Sequence, residues 1–391
     1  MLTPEILAIL TGVLAHLLIF IHGEWHLQGA KVVTVHLVLF ACVYAFDAPS
    51  SKYSNPTTLI SLYLSALFSS ISIYRLFFHR LRAFPGPRLA ALSKLWHVWK
   101  CRDSRGHHVL ETWHQQYGPF VRTGPSEITI FHPAAHEAMD GRLNRNTRSD
   151  CEDFGMLRNQ RWHTLIFMFR SAMALLGPFS PAIWIPRLAF DLIPGLWRVR
   201  SWFKMLEFCD WCMARRIERK LEDRDIASWF IEDHRSNPQE NWLSGDTATL
   251  IVAGSDTTAP ALTHLFYFLA RYPQHAEKIR EEIVSVDAQD QVALSKLPHL
   301  NGTINESMRL LPAILTQSSR VTPPEGLTIE GTFIPGNIKL CAPRYSIGRL
   351  ESAYAQPHDF IPERWYSRPD LIRDPRAFAP FGLGMYPCLH R

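Results

Sequence analysis

Ala253-Gly254-Ser255-Asp256-Thr257-Thr258 stands in the middle of the strongest helical run in the chain, Leu243 to Tyr272. Ser244 can cap that helix, Asp246 suits its positive end, and Pro273 marks where the next segment begins. Gly, Ser, Asp and Thr are poor helix formers, so five in a row need a reason. A surface helix rich in small polar residues is the plain reading. Against it, Leu250-Ile251-Val252 and Ala259 to Leu265 are apolar, so both flanks read as buried. Pro260 has no N–H, which leaves the carbonyl of Asp256 without its helical partner. The Thr257 hydroxyl can open the ladder further. The pattern predicts a long helix loosened near Asp256.

Three stretches follow in order. Glu306 and Arg309 of Asn305-Glu306-Ser307-Met308-Arg309 are three apart and can pair on one helix face. Asp359-Phe360-Ile361-Pro362-Glu363-Arg364-Trp365 comes next and carries a further charged pair, Glu363 and Arg364. Phe381-Gly382-Leu383-Gly384-Met385-Tyr386-Pro387-Cys388 holds a cysteine in a glycine-rich loop. Gly382 and Gly384 let the backbone pass close to a flat, bulky object, and Pro387 stiffens the approach to the sulfur.

Together these stretches resemble the cytochrome P-450 superfamily. Ala253 to Thr258 matches its A-G-x-D-T-T run, Glu306 to Arg309 its E-x-x-R, Phe360 to Trp365 its F-x-x-P-E-R-F, and Phe381, Gly384 and Cys388 its haem loop. Tyr386 stands where arginine is usual, and His390 where glycine is usual. The resemblance implies a mainly α fold with small β-sheets and a haem b (heme) cofactor whose iron takes the Cys388 thiolate. Phe381, Gly384, Gly254 and Arg320 would contact the haem or its ligands, Arg320 through a propionate. Asp256 and Thr257 would manage protons as catalytic residues, and Glu306, Arg309 and Arg364 would fix the cysteine loop. It further implies insertion of one oxygen atom from O2 into an apolar small-molecule substrate. Electrons would come from NADPH through a membrane-bound P-450 reductase. The anchor style and the wording of Ala253 to Pro260 look most like fungal members of secondary metabolism. Three residues follow Cys388, where the family continues with a helix and a small sheet, so the catalytic domain is expected to be incomplete. The alternative is a haem-free, inactive membrane protein derived from a P-450 gene.

The chain has 391 residues, 47% of them apolar, and a net charge of +5. Neither that charge nor any basic cluster with interleaved aromatics suggests nucleic-acid binding. Seven cysteines without regular spacing do not make a disulfide framework. Cys209-Asp210-Trp211-Cys212 reads as two small apolar residues on an amphipathic helix. His132 and His136 read as ordinary surface or packing residues, because Pro133 stands where a zinc protease needs Glu.

Pro4 to Ile21 and Leu59 to Phe78 are each about long enough to cross a bilayer, and Val32 to Phe46 is shorter. Arg75, Arg80 and Arg82 flank the last run, so the domain beyond it is expected on the cytosolic side of the endoplasmic reticulum membrane. Residues 1–82 thus read as an anchor of two to three transmembrane helices, and 83–391 as the catalytic domain. Phe84-Pro85-Gly86-Pro87 reads as a stiff break between them. Leu89 to Tyr117 reads as two short helices, and 120–124 with 127–131 as a strand pair.

Residues 150–240 fit the resemblance poorly. Pro178, Pro181, Pro186 and Pro194 interrupt any long helix, and the only W-x-x-x-R, Trp211 to Arg215, comes too late to hold a propionate. A helix and its connection need roughly 16 to 18 residues, so about ninety cannot hold the full set. An internal deletion near Phe154 to Phe167 is expected. Asn301-Gly302-Thr303 and Asn305-Glu306-Ser307 have the glycosylation pattern, but on a cytosolic helix neither is expected to be used.

Overall fold

The structure, a computed structural model, describes residues 3–22, 25, 29–47, 55–103, 105–136, 169–172, 174, 184–218, 225–237, 242–287, 289–316, 320–383 and 388. The chain divides into two compact units. One holds residues 1–104, 122–126 and 170–201; the other holds 105–121, 127–169 and 202–391. The internal deletion expected near Phe154 to Phe167 lies outside the described residues.

The first unit begins with apolar helices α1 (Pro4–Ala15), α2 (Gly29–Asp47) and α3 (Pro56–Ile73). Proline opens α1 and α3, and Thr3 and Asn55 cap them with their side-chain oxygens. Gly12 brings α1 against α3: a Cβ there would meet the Tyr63 carbonyl oxygen at 2.4 Å. Polar groups in these apolar helices pair with one another, His16 Nδ1 with Ser70 Oγ at 2.8 Å and His36 Nε2 with the Tyr63 hydroxyl at 3.1 Å. One helix among the described residues, Pro56–Phe78, is long and apolar enough to cross a membrane. Pro4–Phe20 and Lys31–Ala45 are shorter apolar helices.

After the proline-glycine break come α4 (Arg88–Leu92) and α5 (Lys94–Lys100), then α6 (Gly106–Tyr117) in the second unit. Three helices therefore stand where the sequence suggested two. Ser93 is extended, ends α4, and caps α5 by accepting from Leu95 N. The break itself is held by Arg122. Its backbone N–H donates to Pro85 O at 2.7 Å, and its guanidinium donates to Arg75 O at 3.0 Å and Pro125 O at 2.8 Å. A Cβ on Gly86 would lie 2.3 Å from the Arg122 carbonyl oxygen. Gly86→Ala is therefore expected to destabilise this unit by about 1–3 kcal/mol, the usual cost of overpacking. Thermal unfolding in detergent would show it, and an unchanged midpoint would refute the close approach.

Strands β1 (Phe120–Gly124) and β2 (Glu127–Ile130) flank the turn at Pro125-Ser126. In the second unit β2 pairs in parallel with β6 (Lys339–Cys341), Ile128 opposite Leu340, and β6 pairs antiparallel with β3 (Arg320–Val321). A separate hairpin joins β4 (Leu327–Ile329) to β5 (Thr332–Ile334). Its two loop residues, Glu330 and Gly331, both have positive φ, the geometry a tight hairpin requires. The remainder is helical, with α7 (Trp184–Leu192) in the first unit, α8 (Trp197–Glu218) beginning there, and α9 (Ile226–Ser236). The 22-residue α8 is a long helix in the region where prolines were expected to forbid one. It starts after Pro194, the last of them, and Pro186 is accommodated in the first turn of α7. Cys209 is buried and Cys212 half-buried on α8, while Arg215 packs its guanidinium over the Trp211 ring at 4.9 Å.

Helices α10 (Leu243–Arg271), α11 (Pro273–Ile283), α12 (Gln291–Leu294), α13 (Pro298–Leu310) and α14 (Arg344–Ile347) follow. The end of α10 meets the later chain through Phe268, Leu310 and Phe360. Phe360 lies parallel to Phe268 at 4.4 Å and to Tyr272 at 5.4 Å. The mainly helical fold with small sheets is the one the resemblance implies.

Candidate functional site

Glu306 and Arg309 lie on α13, and Arg364 in the short 3-10 turn Pro362–Trp365. All three side chains are fully buried. Arg309 Nε and Nη2 donate to the two Glu306 oxygens at 2.9 and 2.8 Å, and Arg364 Nε donates to Oε1 at 3.0 Å. The same carboxylate accepts from Ile361 N at 3.0 Å and from Trp365 Nε1 at 2.9 Å. Two guanidiniums around one carboxylate leave an excess positive charge. Backbone carbonyls answer it: Gly348, Pro357 and Asp359 accept from Arg309, and Ala355, Gln356 and Leu371 from Arg364. The Tyr354 ring stands 4.9 Å from the Arg309 guanidinium carbon. Burial lowers the Arg364 pKa, opposed by Glu306, and raises that of Tyr354. The network thus fixes residues 348–371 by their carbonyls.

Trp365 carries that order onward. Its indole is bonded to Glu306, and its ring packs on Phe378 at 4.3 Å, three residues before the cysteine loop opens at Phe381. Arg376, bonded to Asp374 through Nε and Nη2, braces the same stretch. Gly382 has φ of +79°, which explains glycine there. The Cys388 N–H donates to Phe381 O at 2.8 Å, closing the loop, and Cys388 is exposed. Gly384, Tyr386 and His390 lie outside the described residues.

Gly254, Asp256 and Thr257 lie in α10, which runs on through Pro260 as a helix. Thr257 Oγ1 donates to Ala253 O at 2.7 Å, the back-bond that such a hydroxyl makes. Desolvation raises the Asp256 carboxyl pKa, although that residue remains exposed. Two expectations change here. The N-cap is Trp242, with no side-chain bond, and Ser244 lies inside the helix. The flanks expected to be buried are not: none of residues 248–267 is buried, and Phe266 is 65% exposed. Apolar character marks what a residue can bury against, but burial also needs a neighbour packed fully over it.

Arg320 sits exposed on β3, opposite Leu340. The structure therefore brings together Glu306, Arg309 and Arg364, and closes Phe381 on Cys388. Among the described residues no hydrogen bond joins Asp256 or Thr257 to the cysteine loop. The residues suit a haem by their chemistry. They offer an accessible sulfur on a tethered loop, an exposed guanidinium for a carboxylate, and a small-residue helix face. Trp365 and Tyr354 were not singled out from the sequence. Trp365 was legible as the last position of the Phe360 to Trp365 motif, whereas nothing local marks Tyr354.

Residues 151–389 match the family model described as Cytochrome P450. Tryprostatin B 6-hydroxylase of Aspergillus fumigatus is 32% identical over 97% of this chain and 86% of its own length. Cytochrome P450 monooxygenase notG' of Aspergillus versicolor is 30% identical over 97% of this chain and 87% of its own. Cytochrome P450 monooxygenase sthD of Phaeosphaeria nodorum is 31% identical, with 85% and 89% covered. The first alignment runs over 482 positions and takes in nearly all of a 391-residue chain, so at least 91 of its positions have no counterpart here.

Proposed function

This chain belongs to the cytochrome P450 family and is a monooxygenase of that family, and from that premise we propose that it inserts one atom of dioxygen into an apolar small molecule of fungal secondary metabolism. The relatives support that reading: one is named as a 6-hydroxylase and the others as monooxygenases. Cys388 provides the thiolate ligand, and the family's haem iron, when bound, supplies oxygen activation. Arg320 offers a cation to a propionate, and Phe381 and Gly384 shape the loop beside the macrocycle. Gly254 keeps the α10 surface low. Asp256, whose carboxyl pKa is raised by desolvation, would relay protons, and Thr257, whose hydroxyl donates to Ala253 O, keeps lone pairs that can accept one. Electrons arrive from NADPH through a reductase. Residues 1–82 anchor the chain in the endoplasmic reticulum membrane, with 83–391 as the catalytic part on the cytosolic side.

The observation that carries this reading is the run of contacts from the Glu306 carboxylate through Trp365 to Phe378, three residues before the loop of the exposed Cys388. A second reading, a haem-free chain without turnover, is favoured by the 91 or more missing positions, which we place near Phe154 to Phe167. One spectrum separates the two. Membranes holding the expressed chain, reduced and exposed to carbon monoxide, should show a strongly red-shifted Soret band that is lost in Cys388→Ala. No band, or one typical of nitrogen-ligated haem, would overturn the first reading.

A further inference from the structure

A second group of ligating side chains lies apart from the cysteine loop. His275 stands in the first turn of α11, His299 is the second residue of α13, and Glu363 lies in the turn Pro362–Trp365. Both histidines are buried, at 6% and 3% exposure. His275 Nδ1 and His299 Nε2 are 3.1 Å apart, and one donor atom from each of the three residues falls within 4.8 Å of the others. We propose that His275, His299 and Glu363 form a divalent transition-metal site, with zinc as the ion that best suits the two imidazoles and one carboxylate.

The geometry needs little change. Tetrahedral zinc with bonds of about 2.0–2.2 Å holds its donors roughly 3.4 Å from one another. The two nitrogens must part by a few tenths of an ångström, which small rotations of two side chains provide. The carboxylate must swing inward by an ångström or so, and Glu363 sits at the rim with its side chain 22% exposed. Its present partner is the Lys278 ammonium at 2.7 Å, on a side chain 49% exposed. Lys278 can therefore move into water when another cation takes the carboxylate. The three protein donors leave a fourth position for water, an arrangement zinc accepts.

The surroundings are those of a supported site. The Tyr366 hydroxyl lies 3.0 Å from His299 Nδ1. A proton held on Nδ1 by that contact leaves Nε2 as the lone pair facing His275, the outer partner that ligating histidines usually have. Glu282 accepts from the backbone N–H groups of His299 and Leu300 at 2.8 Å each, which fixes the start of α13. Without metal the same imidazoles satisfy each other by a hydrogen bond, so the site keeps its shape in either state. The metal would tie α11, α13 and the 362–365 turn at one point. Glu363 neighbours Arg364, so the tie would reinforce the segment that the buried charge network holds. None of this depends on haem binding.

The test uses the full chain in detergent, stripped with EDTA and titrated with Co(II) as a spectroscopic probe. One equivalent should give the visible d–d bands of a four-coordinate N/O site, and Zn(II) should abolish them while raising the thermal midpoint. His275→Gln and His299→Gln should each weaken Co(II) binding by at least about a hundredfold. Glu363→Gln and Tyr366→Phe, milder changes, should weaken it about 10–100-fold, the range seen for supporting groups. These two carry the test if either histidine variant fails to fold by circular dichroism. Absence of d–d bands in the unsubstituted chain, or affinity unchanged across the variants, would overturn the proposal. Intense sulfur-to-cobalt absorption would place the ion on a cysteine and overturn it equally.

Discussion

Glu306→Ala is expected to remove about 3–5 kcal/mol of stability, the range for breaking one side of a buried ion pair. A domain's whole stability is roughly 5–15 kcal/mol, so little folded second unit should survive warming. The reason lies in what remains. Arg309 and Arg364, both fully buried, would face each other with no anion between them. Ile361 N and Trp365 Nε1 would lose their acceptor as well. Glu306→Gln, which keeps an acceptor oxygen and the side-chain volume, should cost clearly less. Thermal unfolding of the three proteins in the same detergent, followed by circular dichroism, reads the order directly. A Glu306→Ala midpoint within a few degrees of the unsubstituted protein would contradict the central place given to this carboxylate.

Phe360→Ala should have an effect of similar size, again about 3–5 kcal/mol, from lost transfer energy and the cavity left behind. Phe360 stacks on Phe268 and Tyr272, and His275 meets it edge-on at 5.5 Å. Three rings, Phe268 of α10, Tyr272 between the helices and His275 of α11, thus share one side chain. Phe360→Leu should recover much of the loss. The two alanine changes should not add, because Asp359 O, beside Phe360, accepts from Arg309 Nη2. A double mutant whose loss equals the sum would argue that the aromatic stack and the charge network are independent.

Much of this was legible in the chain. The 243–271 helix and the strands at 120–124 and 127–130 follow from period and turn residues, and the triad of Glu306, Arg309 and Arg364 from the family resemblance. Those signals are local, or repeat in a fixed order along the sequence. Three expectations failed where a local signal met a non-local cause. Ser244 has the chemistry of a cap, but the helix starts at Leu243, one residue before it. The apolar flanks of Ala253 to Thr258 suggested burial, yet burial needs a neighbour to pack against, and residues 248–267 are not buried. The prolines between 178 and 194 suggested short helices throughout, although α8 begins beyond the last of them.

The sequence by itself determined the family, the order of the helices, and which residue types bear the chemistry, because these depend on side-chain identity and spacing. Only the tertiary structure decided how the excess charge of the Glu306 network is answered, since its carbonyl acceptors lie scattered over residues 348–371. It alone tied Arg122 to Pro85 across 37 positions of chain. It alone brought His275, His299 and Glu363 within reach of one ion, because residues up to 88 positions apart become neighbours only when α11, α13 and the 362–365 turn pack on one another.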